Sequence, residues 1–166
     1  MATAAGEEKP VMIVGMDTSD HSTYALEWTL DHFFVPYAPN PPFRLFVFYA
    51  KHSSPYRYME PFALPIVDSH LKQVAAGVME RAEQICLSKS VTGARFKVVD
   101  GDPRLVLCDA VDKHAASVLV VGNHGYGAIK RAILGSVSDY CAHHAHCTVM
   151  IAKKPKIKKA KSASPV

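Results

Sequence analysis

The sequence predicts an α/β fold, an open parallel sheet with helices on both faces, and three observations point to it. Short apolar runs such as VMIVG and SVLVVG are rich in β-branched residues and read as strands covered on both sides. Between such runs lie segments whose apolar residues recur every three or four positions, as a helix with one buried face requires. The two patterns alternate along the chain, and that alternation implies parallel strands joined by right-handed crossovers.

Val11 to Asp17 is the first strand. Ser19 or Asp20 caps the helix that follows, which runs to about Phe34 with Ala25, Leu26, Thr29, Leu30 and Phe33 at helical spacing. The proline-rich VPYAPNPP ends it. Phe43 to Ala50 is an aromatic second strand. The next stretch, KHSSPYRYMEPFALP, has three prolines and no period, and reads either as a lid over a ligand or as surface padding. From Pro65 to about Ser88, Leu71, Val74, Ala75, Val78, Ala82, Ile85 and Cys86 form the clearest helical stripe in the chain. ARFKVVDG is a third strand. Asp102 then caps a helix with Pro103 at its first position, where the missing N–H costs nothing. Ser117 to Gly122 is the fourth strand. Ser136 caps a last helix to about His146, with Val137, Tyr140, Cys141 and Ala145 inward, and CTVMIAK is a short fifth strand.

With 166 residues, 49% hydrophobic and 20% charged, the chain suits one globular domain. No apolar run approaches the roughly 20 residues needed to span a bilayer, so no membrane partner is expected. The net charge of +4 is a property of the tail. Six of the nineteen Lys and Arg stand in KKPKIKKAK; without them thirteen basic residues face fifteen acidic ones. The body therefore has no basic footprint for a nucleic acid, and any such contact would be weak and tail-borne. The tail itself reads as disordered and solubilising. Four cysteines without a CxxC pair are too few for a disulfide scaffold, and the N-terminus has no apolar signal region. Free thiols and a cytoplasmic location are expected, with nuclear entry left open by the basic tail.

The stretch GNHGYGAIKRAILGS, Gly122 to Ser136, carries the chemistry. In open α/β sheets ligands bind beyond the carboxyl ends of the strands, and both this stretch and Asp17 fall on that edge. Gly122 ends a strand, Gly125 and Gly127 permit a tight turn, and Gly135-Ser136 opens a helix, which together supply the backbone N–H groups of an anion nest. Ser136 and Ser138 add hydroxyls, and Lys130 and Arg131 add positive charge nearby. A Walker A loop is excluded because Ala128-Ile129 stand where Lys-Ser/Thr is required. A dinucleotide fingerprint is excluded because Lys130 occupies its third glycine position.

The pattern that fits is Gly122-x2-Gly125-x9-Gly135-Ser136. VVGNHGYGAIKRAILGSVSDY, with VGMDTSDHSTYALEW before it and GDPRLVLCDAVDKHAASVLVVG between, resembles the ATP-binding subgroup of the universal stress protein family, especially its plant single-domain members. The resemblance implies a flexible segment 1–9, a family domain over 10–153 and a basic tail 154–166. It implies a five-stranded sheet of order 3-2-1-4-5, of the adenine nucleotide alpha-hydrolase-like kind. ATP, or another adenine nucleotide such as AMP or ADP, would sit between the ends of strands one and four, with Mg²⁺ accompanying the phosphates. Asp17 would lie near the ribose and Tyr49 near adenine. Val121, Gly122 and Gly125 would pass close to ribose and phosphate, while Gly135, Ser136, Val137 and Ser138 hold the phosphates beside Lys130 and Arg131. It also implies a homodimer through residues 148–152.

No nucleophile, base and orienting group stand together in the sequence, so no catalytic residue is expected. His124 reads as an exposed turn histidine rather than a general base, and His21 likewise has no carboxylate near in sequence placed to orient it. CAHHAHC, Cys141 to Cys147, reads as a core thiol with surface histidines rather than as a zinc site, which would show tighter paired spacing. The resemblance implies a nucleotide-dependent regulator in stress response. The alternatives are a slow ATPase or phosphotransferase, and a chaperone or RNA-binding module that uses the tail.

Overall fold

A computed structural model describes residues 8–52, 64–124 and 134–155. It contains strands β1 (Val11–Met16), β2 (Arg44–Lys51), β3 (Arg95–Asp100), β4 (Ala116–Gly122) and β5 (Thr148–Ala152), and helices α1 (Asp20–Phe33), α2 (Leu64–Ser88), α3 (Pro103–Lys113) and α4 (Ser136–His144). All five strands pair in parallel, in the order β3-β2-β1-β4-β5.

The chain winds outward twice from the middle of the sheet. From β1 it moves through α1 to β2 and through α2 to β3; it then returns across the sheet and moves through β4 and α4 to β5. Right-handed crossovers in opposite directions put the two helix pairs on opposite faces. The core divides accordingly. Met12, Val14 and Met16 of β1 pack with Leu26 and Leu30 of α1 and with Val78 and Ala82 of α2. Val11 and Ile13, of the other parity, pack with Leu107 and Val111 of α3 and Cys141 of α4. All six residues of β1 are buried, as its nearly continuous apolar sequence requires. The outer strand β3 is largely exposed, with Val98 at 45%.

The helix starts show the expected chemistry with one change. Ser19, not Asp20, caps α1, its Oγ accepting the Ser22 N–H at 3.2 Å. Asp102 caps α3 through the Arg104 N–H at 2.9 Å, with Pro103 in the first turn. For α4 the cap is Gly135, in extended conformation, and Ser136 is already helical. That helix ends at His144, where Ala145 closes it on the Cys141 carbonyl at 3.0 Å.

The cysteine and histidine segment behaves as a core thiol with surface histidines. Cys141 is fully buried, whereas His143, His144 and His146 are exposed. Cys86, Cys108, Cys141 and Cys147 are all free thiols. Among the described residues no His, Cys, Asp and Glu group is suited to a metal ion, and no helix is long and apolar enough to cross a membrane. Gly125, Gly127, Lys130, Arg131, most of the proline-rich loop and most of the basic tail lie outside the described residues.

Candidate nucleotide site

At the carboxyl ends of β1 and β4 the chain leads to helices on opposite faces of the sheet. A cavity of about 870 Å³ opens there, within the size range of small-molecule sites. Asp17, Tyr49, Val121, Gly122, Gly135, Ser136, Val137 and Ser138 all line it. Residues drawn from four separate stretches of sequence thus meet at one place.

Asp17 follows β1 directly and turns the chain into α1. Its carboxylate accepts the Ser19 N–H at 2.8 Å, and its own N–H donates to the Ser22 hydroxyl at 3.0 Å. Across the sheet Tyr49 of β2 pairs with Met16. Burial pushes the Tyr49 phenol above its ordinary range, and the Asp17 carboxylate pushes it the same way, so a neutral O–H donor stands beside the carboxylate.

Gly122 has a packing duty that its sequence motif does not reveal. A Cβ on it would lie 2.7 Å from the His21 carbonyl carbon and 2.9 Å from the Ser22 nitrogen. The first turn of α1 therefore rests directly on the end of β4. That approach also draws in His124, which the sequence suggested would be an exposed turn residue. It is instead half-buried, with its ring 5.2 Å from that of His21.

The start of α4 supplies donors. The Gly135 N–H is used on the Asn123 carbonyl at 2.8 Å, and the first helical bond runs from Asp139 to the Gly135 carbonyl at 2.9 Å. The N–H groups of Ser136, Val137 and Ser138 are thereby left without partners inside the helix. The Ser138 hydroxyl, 2% exposed, points to the carbonyls of Gly135 at 2.9 Å and Asn123 at 3.2 Å. Its proton is committed at home, so its N–H is the group left for an anion. The Ser136 hydroxyl is on the exposed side of the turn.

Other lining residues carried no motif. Phe48, Ala50 and Leu107 give the cavity apolar wall, and Leu107 packs against Gly15 so closely that a Cβ there would lie 2.9 Å away. Asp102 and Arg104 enter from the start of α3. Arg104 donates to both Asp102 oxygens, at 2.6 to 3.2 Å, and these bonds hold the carboxyl well below the usual range, at about 2. The signal that could have found them is positional, since the loop after β3 must reach the same edge of the sheet as Asp17. Asp17, Asp102 and Asp139 are the carboxylates among the described lining residues, against the single guanidinium of Arg104.

Comparison with known proteins agrees with this architecture. The model of the universal stress protein family matches residues 10–153. Universal stress protein PHOS32 of Arabidopsis thaliana is 26% identical over 159 residues, an alignment covering 86% of this chain and 64% of that protein. The chain thus spans somewhat less than two thirds of the length of that relative. Among solved structures, universal stress protein UspA of Lactobacillus plantarum superposes with a TM-score of 0.71 at 23% identity, covering 87% of this chain and 97% of the other. An Arabidopsis thaliana protein of the same family, solved with AMP bound, gives a TM-score of 0.65 at 24% identity over 88% and 92% of the two chains.

Proposed function

The chain belongs to the universal stress protein family, and we propose that it binds an adenine nucleotide in the cavity between β1 and β4 and acts as a nucleotide-dependent regulator in stress response. The observation that carries this reading is the coincidence of a roomy cavity at the switch point with the start of α4, whose first N–H groups have no partner inside the helix and no side-chain cap. Such a helix start is an anion site built from backbone alone. The apolar wall of Phe48 and Leu107 suits a flat base, and Asp17 is placed to accept from ribose hydroxyls. The AMP-bound Arabidopsis relative supports an adenine nucleotide as the ligand class.

ATP with Mg²⁺ is the form we assign to the regulated state. The carboxylate of Asp139, in the first turn of α4, is a hard oxygen donor of the kind Mg²⁺ takes. One carboxylate is too little to hold the cation alone, which suits an ion that arrives with the phosphates. We further assign β5 as a homodimer edge. It is an outer strand with an unpaired side, flanked by an apolar groove of about 340 Å³ lined by Tyr24, Trp28, Met150 and Ile151.

Extraction and identification of nucleotide from freshly purified protein, followed by calorimetric titration of AMP, ADP and ATP with and without Mg²⁺, tests this. Adenine nucleotide in the extract, or saturable binding, is expected. An empty protein that binds none of the three would overturn it.

A further inference from the structure

The nucleotide reading leaves two imidazoles unused. His21, near the start of α1, and His124, after β4, meet edge to face with their planes at 83°. His124 also lines the cavity. The Nδ1 atoms of both rings are buried without a hydrogen-bond partner, as is the side-chain oxygen of the adjoining Asn123. Unpaired buried polar atoms are rare in native proteins and call for a cause, such as a ligand or a titrating role. Gly122 is what brings the rings together, because it lets the backbone of His21 approach the end of β4.

We propose that His21 and His124 act as a single-proton acceptor that couples phosphate occupancy of the cavity to protonation of the pair. The proposal rests on the nucleotide reading above and adds a proton linkage to the same site. An edge-to-face contact suits one imidazolium against one neutral ring, since the positive edge meets the negative π-face. A second proton would place like charges about 5 Å apart and is disfavoured. Histidine is also the side chain whose charge changes near neutral pH.

The surrounding charges make that proton matter. Asp17 at the end of β1, Asp102 and Arg104 of α3, Asp139 of α4 and His52 after β2 share the cavity with His124. Asp20, next to His21, is approached by Arg81 of α2 and by Lys154, each at 3.9 Å. Arg104 is engaged by Asp102. Among the described lining residues three carboxylates face one guanidinium, so a phosphate entering there gains from a group that can acquire positive charge on its arrival, and the histidine pair is such a group. Adenosine, which has no phosphate, gains nothing from it.

The test titrates AMP and adenosine into the full chain, its His124→Gln variant and its His21→Gln variant at about pH 6 and about pH 8. Wild-type runs in two buffers of different ionisation enthalpy count the protons taken up. The ionisation of AMP's own phosphate is common to all three proteins and cancels in the comparison. From the lower to the higher pH, AMP affinity of the wild type is expected to fall several-fold more than that of either variant, up to about tenfold, as linkage of binding to a single proton allows. Adenosine affinity should stay level, and AMP should bring proton uptake at the lower pH. Equal pH dependence in wild type and variants, the same dependence for adenosine, or a heat independent of buffer each overturns the proton linkage while leaving the nucleotide reading intact. Failure of both ligands to bind at either pH overturns the nucleotide reading itself, and the linkage with it.

Discussion

Substituting Gly122 by alanine separates two duties that the glycine motif conflates, room for a ligand and room for a helix. The added Cβ would stand 2.7 Å from the His21 carbonyl carbon, 2.8 Å from its oxygen and 2.9 Å from the Ser22 nitrogen. Non-bonded carbons settle at about 3.5 to 4.0 Å, so the first turn of α1 must retreat by roughly 0.8 Å. The obstructing atoms are all backbone, and the turn is tied to Asp17 through the Ser19 and Ser22 hydrogen bonds. Overpacking of this kind costs about 1–3 kcal/mol or more, against which alanine regains about 0.4–1 kcal/mol by restricting the unfolded chain. A net loss of about 2 kcal/mol is expected, or about 4–8 °C in Tm for a domain of this size. Gly15→Ala is the control: its Cβ meets the tip of the Leu107 side chain at 2.9 Å, which can swing aside, so about 1 kcal/mol or less is expected. Thermal melts by circular dichroism, without nucleotide, compare them. A Gly122→Ala protein that melts within about 1 °C of wild type while losing AMP would refute the packing argument and return the glycine to the ligand.

Gly135→Asp would give α4 a side-chain cap; stability without nucleotide should rise by a few tenths of a kcal/mol while AMP affinity drops at least about tenfold, and calorimetry showing undiminished affinity would place the phosphate elsewhere. Asp102 has its folded pKa lowered to about 2 by Arg104, so its contribution is complete above about pH 4 and is lost as pH falls through about 2. Since that carboxylate is 34% exposed, Asp102→Asn should cost less than about 1 kcal/mol at neutral pH and nothing near pH 2 in denaturant melts. Burial pushes the Cys141 thiol up to about 12 and Cys86 to about 11, while Cys108 and Cys147 are raised as well. At about pH 8 iodoacetamide should therefore modify Cys108 and Cys147 slowly and reach Cys86 and Cys141 only after denaturation, with peptide mass spectrometry as the readout.

Local chemistry was legible in the sequence and long-range placement only in part. The alternation of apolar runs and helical stripes gave the element order, and Asp102-Pro103 marked the start of α3, because caps and periods are set by neighbouring residues. The strand order is a non-local property, and the periodicity does not contain it; it came with the resemblance. The cap of α4 fell one residue early, at Gly135, since Gly and Ser both suit that position and the choice lies in backbone angles. His124 was misjudged as exposed for a related reason: its burial depends on α1 docking at Gly122, a contact between residues a hundred positions apart in sequence. Asp102 and Arg104 were missed at the cavity because they belong to no phosphate motif, although the edge of the sheet to which they are tied was predictable.

The position expected for phosphate follows from a comparison of the three helix starts that border the cavity among the described residues. Each carries roughly half a positive charge from its aligned peptide dipoles. At α1 the Ser19 hydroxyl caps the first turn and the Asp17 carboxylate accepts the Ser19 N–H, so that charge is already answered. At α3 the Asp102 carboxylate caps the helix, and Pro103 contributes no N–H. At α4 the cap is a glycine with no side chain to offer. Asp139 in its first turn has its N–H bound to the Gly135 carbonyl, and its carboxylate is 60% exposed, which weakens its claim on the preceding donors. Among the described residues, an anion would meet carboxylates at two of these helix starts and uncapped N–H groups at the third. Under the nucleotide reading proposed above, Gly135 and the donors of Ser136, Val137 and Ser138 would therefore receive the phosphate end of the ligand, and Asp17 would be left to the sugar.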